Sequence, residues 1–114
     1  MTLLFQLTSI LDGLKIPAET GVFQEQAPDT YVVMTPLSDT FEGFADNAPH
    51  YETQEVRLSL FCKENYIKRK NQMVKALLGA GIGITDRRYL GFEEDTQYHH
   101  YAIDVVSAFD LKEA

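Results

Sequence analysis

The chain has 114 residues, 45% of them hydrophobic, and carries 17 Asp and Glu against 10 Lys and Arg, a formal net charge of −7. That length fits one domain, 1–114, and a chain of this size buries enough surface to fold without a disulfide or metal staple. The acidic balance argues against nucleic-acid binding, because Lys63 with Lys68-Arg69-Lys70, and Arg87-Arg88, are too short to form a binding stripe.

The chain opens Met1-Thr2-Leu3-Leu4-Phe5 without a basic leader, and no apolar run is long enough to span a membrane, so a soluble protein made in the cytosol is expected. Leu3, Leu7, Ile10, Leu11 and Leu14 recur at three- and four-residue spacing and predict a helix over 2–14, with Leu4 and Phe5 beside its apolar stripe. Thr2 is the expected N-cap, and Gly13 followed by Pro17 closes the helix. Its stripe should pack on a sheet.

A short extended piece is expected around Val22-Phe23, followed by a strand at Tyr31-Val32-Val33-Met34-Thr35, rich in β-branched and aromatic residues. The stretch 37–50 is the least regular. It continues the strand pattern through Thr40-Phe41 and then turns at Asp46-Asn47-Ala48-Pro49. From Tyr51 onward the alternation is clean: Val56, Leu58, Leu60 and Cys62 point one way, and Glu55, Arg57, Ser59 and Phe61 the other. The lone Cys62 permits no internal disulfide and reads as a buried thiol in a reducing compartment.

A second helix is predicted over 65–78, with Tyr66, Ile67, Val74, Leu77 and Leu78 inward, Met73 flanking, and Lys68, Arg69, Gln72 and Lys75 in water. Gly79-Ala80-Gly81 ends it. This run follows a helix and lacks a Gly-Lys-Ser/Thr ending, so it is no phosphate loop. Strands over 82–92 and 98–109 then form a hairpin around the polar turn Glu93-Glu94-Asp95-Thr96-Gln97. In the last strand Tyr101, Ile103, Val105 and Phe109 share a face opposite His100, Ala102, Asp104 and Val106. The fold class is α+β: an antiparallel sheet of about four strands with two helices on one face.

Residues that could carry chemistry do not converge. His99 and His100 are adjacent on a strand and point to opposite faces, while His100 and Asp104 lie about 13 Å apart at strand rise. The acidic turn lacks the alternating oxygen ligands and central glycine of a calcium loop. No catalytic, cofactor-binding or metal-ligating residue is assigned, and the protein is expected to act as a non-enzyme. The candidate oligomer or partner interface is aromatic: Phe41, Phe44 and Phe61, with His50 and Tyr51 where the irregular stretch meets the long strand.

The C-terminal half resembles a known family. It runs Tyr51-Glu52-Thr53-Gln54-Glu55-Val56-Arg57-Leu58-Ser59-Leu60-Phe61-Cys62 into a helix ending Ala76-Leu77-Leu78-Gly79-Ala80-Gly81. Asp86-Arg87-Arg88-Tyr89 follows, then the hairpin from Glu93 through Val105. This pattern is similar to the tail-terminator or tail-completion (head–tail joining) proteins of long-tailed bacteriophages and prophages, over about 50–109. The resemblance implies a homo-oligomeric ring, usually a hexamer, that caps the tail tube and meets the head-completion (neck) protein. It implies assembly in the host cytoplasm and then a place in the virion. The 37–50 segment would be the arm that reaches a neighbour or the tube. Genomic DNA would pass through such a ring, and a negative lumen would keep the duplex from sticking. Neck and minor tail proteins stay open as alternatives. A different class of reading is a small-ligand-binding or enzymatic α+β domain with a pocket between sheet and helices.

Overall fold

The computed structural model describes residues 2–22, 27–45 and 48–111. Thr2 begins the first helix, α1 (Leu3–Gly13), by accepting the Phe5 N–H on its side chain. Leu3, Leu7 and Leu11 are buried along one stripe, and Phe5, beside it, is exposed. The chain then enters β1 (Ala18–Thr20), β2 (Thr30–Glu42), β3 (Tyr51–Cys62), α2 (Tyr66–Gly79), β4 (Gly83–Glu93) and β5 (Tyr98–Asp110).

The five strands form one sheet in the order β1-β2-β3-β5-β4. Its architecture is the expected α+β, with two differences. The first extended piece forms earlier than Val22-Phe23, at β1, and it pairs parallel to β2, so the sheet is mixed. The Val32 N–H donates to Pro17 O and the Gly21 N–H to Met34 O, both at 2.9 Å, and these bonds frame the short strand. Gly21, at φ 86°, then turns the chain out of the sheet in a conformation open to glycine. Phe23 lies outside the described residues, as do Asp46 and Asn47 of the expected turn.

Both helices cover one face. Leu3, Leu7 and Leu11 of α1 and Met73 and Leu77 of α2 pack on Val32, Met34, Val56, Leu58, Leu60, Cys62, Ile103 and Val105. Cys62 is buried there, with its sulfur 3.4 Å from Thr30 Oγ1. The inward stripe of α2 is rotated from the expected one: Met73 and Leu77 are buried, whereas Ile67 and Leu78 are exposed. The stripe runs through Tyr66, Lys70, Met73 and Leu77, and Lys70 keeps its place because its ammonium lies over the Tyr101 ring, 5.3 Å from the centroid. A cation inside the stripe misdirects a periodicity count.

The molecule is elongated, with extents of 54 × 24 × 23 Å. The length comes from β2, β3 and β5, which run past the helices; the α1 N-terminus reaches the sheet at Gln54, whose side chain accepts the Leu3 N–H at 2.8 Å.

Candidate interaction surface

Beyond that point the sheet is a three-stranded arm. Of the irregular stretch, 37–42 is ordered strand, as its continued pattern through Thr40-Phe41 predicts: β2 runs to Glu42, with a register shift between Pro36 and Ser38 that leaves Leu37 without a cross-strand partner. Here Ser38 to Glu42 pair with Glu55 to Tyr51, and Tyr51 to Glu55 pair in turn with Asp110 to Val106. The His50 N–H donates to Glu42 O, and the Leu111 N–H to His50 O, each at 3.1 Å, which ties the three strands together at the tip of the arm. Thr53 donates its hydroxyl to Glu42 across the strand pair.

The arm carries exposed apolar groups. Phe41 is 55% exposed, Phe44 65%, Leu37 41% and Tyr51 39%. Gly43 holds a positive φ of 67° and sits under the Tyr51 ring, where an added Cβ would fall 2.5 Å from Tyr51 Cε1. Four of the five expected interface residues, Phe41, Phe44, His50 and Tyr51, therefore gather at the arm. Phe61 does not. It pairs with Tyr31 and His100 at the base of the sheet, nine positions along β3 from the residue opposite Phe41, or about 30 Å at strand rise.

Phe61 lies instead within an aromatic group on the face that the helices leave bare. Its ring stacks on His100 at 4.3 Å and on Tyr31 at 5.0 Å between centroids, and Tyr98 meets Tyr31 edge-on at 5.4 Å. Tyr98 donates its hydroxyl to Pro28 O at 2.6 Å, and burial raises its phenol above the usual value. Burial pushes His100 below the usual histidine value; Glu93 opposes this and Arg57 adds to it. The His100 Nε2 is buried without a hydrogen-bond partner among the described residues. Asp104, on the same face, is held by Arg57, whose Nε and Nη2 donate to its two carboxylate oxygens at 2.8 and 3.1 Å. His99, on the opposite face, bonds through Nδ1 to the Tyr89 hydroxyl at 3.0 Å. Among the described residues no three His, Cys, Asp or Glu side chains come together to hold a metal ion.

A second exposed apolar strip was missed in the sequence. Tyr89, Leu90 and Phe92 of β4 are between 44% and 49% exposed, along the outer margin of the sheet. Alternation shows which face a residue takes, but not that its strand is an edge, so no local signal marks these residues out. Beside them Lys70, Ile84, Thr85, Asp86, Arg87 and Tyr101 line an open depression of about 430 Å³. No described helix is long and apolar enough to cross a membrane. No protein-family model and no curated protein matches the chain.

Proposed function

We propose that this chain is a non-enzymatic assembly protein of a long-tailed bacteriophage or prophage, which forms a ring on the tail tube and joins it to the head-completion protein. The observation that carries the reading is the arm: three ordered strands extending past the helical cover, with Leu37, Phe41, Phe44 and Tyr51 exposed. Exposed aromatics on ordered strands are the usual anchors of protein–protein contacts. The hexameric count and the identity of the tube and neck partners rest on the resemblance of 50–109 to tail-terminator proteins. The net charge of −7 is compatible with a lumen that passes DNA without retaining it.

The test is electron microscopy of tail tubes polymerised in the presence of the purified chain. Tubes ended by a ring, and arrested at a length they otherwise exceed, are expected. Bare ends and unchanged lengths at saturating protein would remove the reading. The lumen idea has its own check: Asp and Glu confined to the outside of the assembled ring would refute it.

A further inference from the structure

Among the described residues the sheet has two unpaired edges, and they lie at its opposite margins. One is the outer side of β4, which pairs only with β5. The other is the outer side of β2 beyond β1, since β1 reaches only as far as Met34. Open edges are templates for strand pairing. Each carries a short regular run: Asp86 to Tyr89 in β4, between two register shifts, and Ser38 to Glu42 in β2, between one register shift and the strand end.

The two runs differ in charge and agree in shape. Asp39 and Phe41 fall on the helix-covered face of β2, because their partners Gln54 and Glu52 alternate with the outward Thr53 and continue the Val56 row. Arg87 and Tyr89 fall on the same face of β4, opposite Ile103 and Tyr101. Each run thus shows a charge and an aromatic ring two positions apart, acidic on one edge and basic on the other. All four side chains are exposed, and neither Asp39 nor Arg87 makes an ion pair among the described residues. Lys70 lies with Arg87 around the open depression at this margin and adds to its positive charge, with Asp86 as the one acid in that lining.

We infer that the β2 edge of one copy pairs with the β4 edge of the next, making a head-to-tail sheet contact between identical chains. Two arguments select this arrangement over a symmetric one. Like edges repel, since two β4 runs would bring arginines together and two β2 runs would do the same with Asp39. Direction also fits: the antiparallel pairings β2·β3, β3·β5 and β5·β4 set β2 and β4 in opposite senses. A copy displaced sideways with its helices on the same side therefore presents β2 antiparallel to β4. A contact between different patches propagates around a ring when the rotation closes.

The offset gives a geometric consequence. Asp39 stands level with Ser107 of β5 through Gln54, and Arg87 with Ile103, so neighbours are displaced by four positions, about 13 Å along the strands. Across the four strands β2, β3, β5 and β4 that separate one contact from the next, about 19 Å wide, a ring without rise then needs strands inclined by roughly 35° to its axis, near the tilt of closed barrels.

This inference rests on the homo-oligomeric part of the function proposed above. It is tested on the full chain by sedimentation velocity over a concentration series, with the exposed-site variants Asp39→Arg and Arg87→Glu. Each variant alone should associate at least about tenfold more weakly than the original chain, equivalent to about 1.4 kcal/mol. Mixing the two should restore association, because each edge then finds its opposite charge on the other variant. Unchanged association in both variants, or no recovery on mixing, would overturn the edge contact while leaving a ring built on other surfaces intact. A chain that stays monomeric at every concentration would also overturn it, and the tail-tube experiment would then judge the ring reading separately.

Discussion

Buried and half-buried side chains make the sharpest residue-scale tests. Leu58 is fully buried between both helices and the sheet centre, so Leu58→Ala should cost about 2–5 kcal/mol in denaturant unfolding. The Arg57–Asp104 pair is partly open to solvent on the Arg57 side, so Arg57→Ala should cost only about 1 kcal/mol. His100 gives a pH signature. Its folded value lies below the ordinary 6.5, so the unfolded chain takes up the proton first as pH falls. Stability from a neutral His100 is thus complete above the ordinary histidine value and declines as pH drops through it. A His100→Phe variant, which can keep a stack on Phe61, should lose less stability than the original chain between pH 7.5 and 5.5. Equal losses in thermal unfolding would refute this role.

At the scale of elements, most of the fold is legible because alternation and helical spacing report local burial directly. Val56, Leu58, Leu60 and Cys62 of β3 and Leu3, Leu7 and Leu11 of α1 lie where their periods place them. The misreadings share a cause: a partner distant in sequence decides the outcome. Lys70 sits in the stripe of α2 because Tyr101 receives its ammonium, and β1 forms at Ala18–Thr20 because Val32 and Met34 bond to its flanks. The arm reads as irregular in sequence because a bulge at Leu37 reverses the alternation halfway along β2. Four of the five candidate interface residues, aromatic or polar groups without a core to fill, lie together there. Phe61 lies apart from them because its surroundings, Tyr31, Tyr98 and His100, come from other strands. The arm can be tested as an element: Phe41→Ser with Phe44→Ser should leave the melting temperature within about 2 °C while weakening self-association, since both rings lie outside the core. A large fall in melting temperature would show that these rings hold the fold instead. Gly43→Ala should disturb the arm locally, by strain at positive φ and by collision with Tyr51, and raise hydrogen exchange over 37–53 more than in the core strands.

The whole molecule combines a helix-covered core at one end with a bare, aromatic-bearing strand extension at the other. A long sheet with two open edges of opposite charge is poorly suited to remain alone. Its shape, 54 Å in one direction and less than half of that in the others, lets neighbours overlap along their length. Such overlap can close into a ring. Native mass spectrometry of the full chain over a concentration series, alone and with the tail-tube protein, tests it most directly. A discrete closed species at six times the 12.9 kDa chain mass is expected; a chain that remains at 12.9 kDa under both conditions would rule the closed ring out.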